Sequence, residues 1–383
     1  MDLALTAEQE AMRRTVRDFA RDVIAPRARE TDERDEFPRD VIRRMGDLGI
    51  LGLPVPEEWG GVGADYLSYI LAIEEVSYQS AAIGVILAVH TGVATLPIVM
   101  FGTDDQKRRY VERLATGEWI GAFALTEPDA GSDARAIRTR AVRDGDGYVL
   151  NGSKAFITNG GVADVYTVFA VTHPERGAHG VTAFLVEQGT PGFAVGRREE
   201  KMGLHGSPTA ALEFADVRLA PAQRLGAEGE GFKIAMSQLD GGRIGIAAQA
   251  LGIARAAFDA AVAYTKTRRQ FGRAIADFQA TRLTLAQMAT DIEAAQLLTY
   301  RAAGMRSRGQ PCTAEASMAK LFASDTAMRV TTDAVQLFGG YGYTREYPVE
   351  RLMRDAKVTQ IYEGTNQIQR IVIAKSLERG GLP

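Results

Sequence analysis

The spacing of apolar residues changes twice along this chain, and that double change constrains the fold more than any single motif. Thr6 and Gln9 have the spacing of a capping box. Met12, Val16, Phe19, Val23 and Ile24 then recur on one face with Arg13, Arg14, Arg17 and Asp18 opposite, which predicts an amphipathic helix ending before Pro26. Val41 to Leu51 repeats the pattern, Gly60 to Gly63 reads as a loop, and Leu67 to His90 is again helix-forming. From Ile120 the period shortens to two. Tyr148 to Leu150, Asn151-Gly152 and Lys154 to Thr158 read as strand, turn and strand, a hairpin; Val165 to Val171, Val181 to Val186 and Ala210 to Phe214 are further strands. From Phe232 the helical period returns. Ile244, Ala247, Leu251, Ala254, Phe258, Ala261 and Val262 trace one stripe, and Leu283 to Arg306, Ala314 to Phe338 and Thr365 to Leu377 supply three more helices. The expectation is an α+β chain, with a helical domain over 1–118, a small antiparallel β domain over 119–228 and a C-terminal four-helix bundle over 229–383.

Composition narrows the function classes. With 383 residues, 46% hydrophobic and 24% charged, the chain has the make-up of a globular protein with ample core. Lys plus Arg number 45 against 48 Asp plus Glu, a net charge of −3, and no basic run could track a phosphate backbone, so nucleic acid is not an expected partner. Cys312 stands alone and His90, His173, His179 and His205 are scattered, which leaves no expected disulfide or metal site. Val76 to Thr103 lacks Asp, Glu, Lys and Arg. Gln79, Ser80, His90, Thr91 and Thr95 interrupt it, however, and Pro97 is expected to break the helix, so it reads as buried core and no membrane span is expected. The acid at Asp2, where a secretory signal has a basic region, makes the cytoplasm the expected compartment.

No G-x-x-x-x-G-K-[ST], no G-x-G-x-x-G after a strand, no H-E-x-x-H and no nucleophile elbow is present. If this is an enzyme, a carboxylate or a cofactor does the chemistry. Two segments exceed ordinary loop composition. Ala124 to Asp133 (ALTEPDAGSD) gathers hydroxyls and exposed amides in a Pro and Gly loop, suited to an anionic or heterocyclic ligand, or simply to a linker with an Asx or Ser turn. Gln336 to Glu346 (QLFGGYGYTRE), continuing through Arg351 to Asp355, places glycines past a helix end, where a ligand can approach the backbone or where capping alone would use one or two of them.

Both segments match signature patterns of the acyl-CoA dehydrogenase family, and the chain resembles that family throughout, most closely its short-chain, butyryl-CoA type, through Leu239 to Ala247, Arg268 to Phe271 and Ile361-Tyr362-Glu363-Gly364-Thr365. The resemblance implies a three-domain fold, noncovalent FAD, an acyl-CoA substrate, a homotetramer built as a dimer of dimers, and electron transfer flavoprotein as acceptor. It further implies that Phe123, Leu125, Thr126, Gly131 and Ser132 run along the flavin, with Ser132 near the pyrophosphate or the CoA. Phe156, Ile157 and Thr158 would form the strand against the flavin; relatives usually carry Trp where Phe156 stands, so ring packing survives and an indole hydrogen bond is lost. Arg268, Phe271, Gln279, Gln336, Leu337, Phe338, Gly339 and Gly340 would reach the adenosine diphosphate half from a neighbouring subunit, and Thr365, Asn366 and Gln367 would complete the flavin contacts. Asp240, Arg243, Tyr362 and Gly364, with Ser132, are the implied substrate contacts.

The implied reaction, α,β-dehydrogenation to the trans-2-enoyl thioester with hydride going to flavin N5, needs one base, and Glu363 holds the family's base position. On spacing alone it could be a surface acid favoured by a helix start. Other branches of the family place the base where Gly242 stands, and glycine cannot serve. Val85 and Val89 fall near the expected bottom of the acyl pocket, and chains of about four to six carbons are expected. Rival readings are an acyl-CoA oxidase of the same fold and a non-catalytic CoA- or flavin-binding scaffold.

Overall fold

The computed structural model describes residues 4–378, so Met1 to Leu3, on which the reading of the leader rested, lie outside the described residues. Helix α1 (Ala7–Phe19) begins with the expected reciprocal cap between Thr6 and Gln9 and buries Val16 and Phe19. It does not stop before Pro26. The coil widens into a π segment, Ala20–Ile24, then tightens into a 3₁₀ turn, Ala25–Arg27, and continues as α2 (Ala28–Arg34). Pro26 sits in the first turn of the new segment, where its missing N–H has no helical partner to lose. After α3 (Arg39–Asp47) comes α4 (Tyr66–Gln79), ended by Ser80, whose side chain caps α5 (Ala81–Leu87). The rod runs on through a π segment, Ala88–Thr95, into α6 (Leu96–Phe101). Pro97 is thus absorbed and not helix-breaking: it lies in the first turn of α6, and the wider coil before it relieves the clash. Ala81–Phe101 is long and apolar enough to cross a membrane by composition, and it is buried inside the molecule. Short helices α7 (Asp104–Gln106) and α8 (Glu112–Ala115) close this region.

The sheet contains β1 (Gly121–Ala124), β2 (Arg140–Asp144), β3 (Gly147–Thr158), β4 (Val165–Val171), β5 (Val181–Glu187), β6 (Phe193–Arg198), β7 (Thr209–Leu219) and β8 (Arg224–Leu225), ordered β6-β7-β3-β2-β4-β5-β8 with β1 also on β4. It is mixed where an antiparallel sheet was expected: β1 runs parallel to β4, Gly121 opposite Val165, and β2 meets β4 in parallel at Arg140 and Val171. The chain between Ala124 and Val165 is long enough for the crossover that parallel pairing requires. The expected hairpin at Asn151-Gly152 is also displaced. β3 passes straight through these residues, and the turn is Gly145-Asp146, between Asp144 and Gly147. Gly145 has φ 62, as the first position of a two-residue type II′ turn demands. Opposite Asn151 the partner strand bulges: Asp216 takes φ 52, its N–H donates to Asn151 Oδ1 at 2.8 Å, and Asn151 Nδ2 donates to Asp216 Oδ1 at 3.0 Å.

Among the described residues five α-helices follow where four were expected. α9 (Gly231–Thr267), α10 (Gln279–Ser307) and α11 (Thr313–Phe338) are long; α12 (Val349–Thr359), within the second signature segment, and α13 (Asn366–Glu378) pack on α11. A buried charge cluster joins this bundle to the first helices. Glu75 of α4 accepts from Arg13 Nε at 2.8 Å and Arg17 Nη2 at 2.9 Å, Arg255 of α9 pairs with Glu74 and Glu75, and Tyr300 Oη of α10 donates to Glu74 at 2.7 Å.

Candidate active site

Between α12 and α13 the chain reverses through two consecutive left-handed residues, Glu363 with φ 53 and Gly364 with φ 86. Glycine adopts this freely, but at Glu363 it is a strained conformation that the surroundings must hold. They do so by hydrogen bonds. Lys320 Nζ donates to Gly364 O at 2.8 Å, while Gln369 Nε2 donates to Glu363 O at 3.0 Å and Gly364 O at 2.8 Å. The turn aims the Glu363 side chain at mid-α9. There Gly242 leaves room for it: a Cβ on Gly242 would lie 2.5 Å from Glu363 Oε2. That oxygen is sealed from solvent and has no hydrogen-bond partner. Burial pushes the carboxyl up to about 7, against the opposing pull of Arg243 and Lys320.

Four of the expected substrate contacts gather here. Arg243 is buried beside the carboxylate with Nε unpartnered, its Nη1 bonding Asp240 Oδ1 at 2.9 Å; Thr313 Oγ1 donates to Asp240 Oδ2 at 2.6 Å. Tyr362 Oη is bonded to Gln249, and burial holds that phenol well above its usual range. Gly364 belongs to the turn itself. Ser132 does not join them; it is exposed on the loop after β1.

That loop forms a second group. Phe123 is half-buried at the end of β1, Leu125 is buried, and Thr126 O accepts from Ala155 N at 2.9 Å, which lays the loop along the end of β3. Beneath it Lys154, fully buried, donates to Leu125 O at 3.0 Å and to Glu127 Oε1 at 2.8 Å, and Glu127 also accepts from the N–H groups of Arg138 and Thr139. Burial lowers the lysine to about 8, partly offset by Glu127. Gly131 is open: a Cβ there would touch nothing. Phe156 is 65% exposed with φ 57, an aromatic ring offered to solvent from strained backbone. Ile157 points into the core, so only its backbone is available to a ligand, and Thr158 is half-buried.

A third group lies apart from both. Arg268, Gln336, Leu337, Phe338, Gly339 and Gly340 line a cavity of about 510 Å³ with Tyr264 and Tyr341. No residue of the loop after β1 or of the end of β3 lines it. Phe271, 92% exposed with φ 50, and Gln279, the exposed first residue of α10, are not among its lining residues. Thr365 and Gln367 sit at the start of α13, Thr365 Oγ1 accepting from Ile368 N. Asn366 corrects the expectation for its side chain. It is turned into the bundle, its Oδ1 accepting from Lys320 and Ser324 and its Nδ2 donating to Ser324 and Asp325, so any ligand contact from this residue falls to its backbone.

Sequence reasoning missed the residues behind the site. Lys320 falls on the apolar stripe Ala316, Ala319, Ala323, Ala327, and a lysine on such a stripe was a readable signal. Lys154 alternates with exposed strand residues and gave none. His90 joins the helices to the sheet: Gly121 N donates to its Nδ1 at 3.0 Å, which fixes the proton on Nε2, donated to Leu114 O at 2.9 Å.

Three family models match the chain: acyl-CoA dehydrogenase, N-terminal domain over residues 6–118, middle domain over 122–217 and C-terminal domain over 229–378. The chain belongs to the acyl-CoA dehydrogenase family. Among its relatives is the short-chain specific acyl-CoA dehydrogenase of Clostridium acetobutylicum, 51% identical over 99% of this chain and 100% of that one. Butyryl-CoA dehydrogenase from Megasphaera elsdenii superposes with a TM-score of 0.97 at 50% identity, covering 99% of this chain and all of that one. A chain solved in work on the electron transferring flavoprotein of Acidaminococcus fermentans superposes with a TM-score of 0.98 at 54% identity, again over 99% and 100%. As a family member the protein is an oxidoreductase, and the family's three-domain order is the order of helices, sheet and helices described above.

Proposed function

We propose that this acyl-CoA dehydrogenase converts a short saturated acyl-CoA, of about four to six carbons, to the trans-2-enoyl thioester, with Glu363 removing the α-proton. The observation that carries the reading is the Glu363 carboxylate: buried, without a hydrogen-bond partner at Oε2, held by a strained turn, and brought to about 7 where a base can both accept and release a proton. Arg243, beside it, keeps it from rising further. An acyl chain entering over Gly242 would complete the exclusion of water. The short-chain preference rests on the relatives at 50–51% identity, and Val85 and Val89, both buried, are the proposed floor of the acyl pocket.

The residues present suit FAD in two pieces. Phe156, exposed beside Thr126, offers a ring face to a flat heterocycle, and the loop from Phe123 to Ser132 offers backbone amides and hydroxyls. Arg268 and the open backbone at Gly339 and Gly340, where a Cβ would meet nothing, suit a diphosphate. Since these two groups do not share a cavity, the second would serve the cofactor of a neighbouring subunit, in a cytoplasmic homotetramer. Bound there, FAD supplies the hydride acceptor that no side chain can. The similar chain from work on the electron transferring flavoprotein of Acidaminococcus fermentans supports a flavoprotein of that kind as the electron acceptor.

Butyryl-CoA added without oxygen is expected to bleach the flavin absorption band, and oxygen consumption during turnover would point to an oxidase instead. Glu363→Gln keeps the shape of the side chain and removes its basicity, so flavin content and CoA binding should persist while reduction slows ~10²- to 10⁴-fold. Near-normal reduction by Glu363→Gln would remove the assignment.

A further inference from the structure

A lysine side chain buried completely and bonded to no carboxylate is costly, and Lys320 is such a residue. It is 0% exposed, and its Nζ makes two hydrogen bonds, to Gly364 O at 2.8 Å and Asn366 Oδ1 at 2.9 Å. Both acceptors belong to the segment that carries Glu363. Nothing about the stability of α11 calls for an ammonium there, since its neighbours on the stripe are alanines.

We propose that Lys320 is the positioning residue of the base: it tethers the left-handed Glu363–Gly364 turn through Gly364 O, and its charge keeps the Glu363 carboxylate ionised once the acyl thioester shuts out water. This rests on Glu363 being the base. The charged and titratable groups that face Glu363 are few. From α9 comes Arg243, from α11 Lys320, from α4 Tyr66 and Tyr69, and from its own segment Tyr362. Burial raises all three phenols, so they are neutral at working pH. Arg243, which also pairs with Asp240, exerts the larger pull on Glu363, and Lys320 is the second cation that favours its ionised form. Asp325, which also acts on Lys320, is occupied by Gln360 Nε2 at 2.6 Å and Asn366 Nδ2 at 2.8 Å. Burial brings Lys320 down to about 7, with Glu363 and Asp325 pulling it up, so lysine and base titrate as a coupled pair that holds two protons at low pH and none at high pH.

The test is the pH dependence of kcat and kcat/KM with butyryl-CoA for wild type, Lys320→Met and Lys320→Gln, as holoenzymes of equal flavin content. Methionine keeps the length and loses tether and charge; glutamine keeps a donor for Gly364 O and loses the charge alone. Removing a nearby positive charge raises the pKa of the base, so the acid limb should move upward by about one pH unit or more in both variants, with KM little changed. At high pH Lys320→Gln should approach the wild-type plateau and Lys320→Met should stay below it. An acid limb unmoved in both variants overturns the role of the charge, and a full plateau in Lys320→Met overturns the tether. If Lys320→Met does not fold, Lys320→Gln decides the charge by itself. Failure of the wild type to oxidise any acyl-CoA would instead remove the base assignment, which separates the two ideas.

Discussion

Glu363 occupies a space that exists because residue 242 has no side chain. Its Oε2 would lie 2.5 Å from a Cβ there, so Gly242→Ala must displace the carboxylate, although the helix itself gains from alanine. The expected outcome is reduction by butyryl-CoA slowed ~10²-fold, the scale of an ångström misplacement, with thermal stability unchanged or slightly raised. A loss of both together would mean the glycine is needed for packing instead. The buried pair under the loop after β1 predicts the opposite pattern. Lys154→Met leaves Glu127 buried without its cation, which costs about 3–5 kcal/mol, so the midpoint of urea unfolding should fall and protease cleavage within residues 125–133 should rise. Glu363 was legible in the sequence because its motif is short and contiguous. Its supports were not, because Lys320, Gln369 and Gly242 lie on three different helices and only folding brings them to one turn.

Among the elements, the long helices and the strands β4, β5 and β7 were read where they lie, and what was misread is how strands pair and turn. α9, α10 and α11 follow their stripes, whereas α12 hides inside a segment whose glycines suggested a loop. Asn151-Gly152 has the local preference of a turn, yet the ladder to β2 and β7 continues through it, since pairing on both sides of β3 outweighs a dipeptide preference. The glycine is required for another reason. At Gly152 φ is 143 and a Cβ would lie 2.7 Å from Thr139 Cα, so Gly152→Ala combines forbidden backbone with a clash against main chain. A loss of roughly 1–3 kcal/mol is expected, read as a lowered Tm with the flavin spectrum preserved; an unchanged Tm would show that β3 can shift.

At the scale of the whole molecule, the charge cluster on α4 ties the first helices to the bundle and makes that tie sensitive to acid. Burial alone would raise Glu75, but Arg17, Arg255 and Arg13 outweigh it and hold the group at about 2, below its ordinary 4.5. Its contribution is therefore fully present above pH ~4.5 and lost as the pH falls toward ~2, worth about 2–3 kcal/mol. Glu75→Gln should lower the stability near neutral pH and flatten the decline between those limits, measured by urea unfolding at a series of pH values. The proposed division of FAD between subunits gives a second test at this scale. Arg268→Ala should weaken FAD retention about 10- to 100-fold and loosen the oligomer with it; full occupancy in an unchanged oligomer would place the diphosphate elsewhere.

The wide coil at Ala88–Thr95 has a further consequence. A π turn spends more residues per revolution than an α turn, so α5 and α6, though one rod, are out of phase with each other. That phase offset lets the rod pack against α9 while turning the His90 imidazole toward Gly121, the first residue of the strand that leads into the loop from Leu125 to Asp133. Deleting one residue from this stretch would restore a regular α-helix and swing everything beyond it by about 100°. The rod could still be helical and apolar throughout, but strand and helix would then be geared to different teeth, and the loop after β1 would no longer be registered to the helices that flank Glu363.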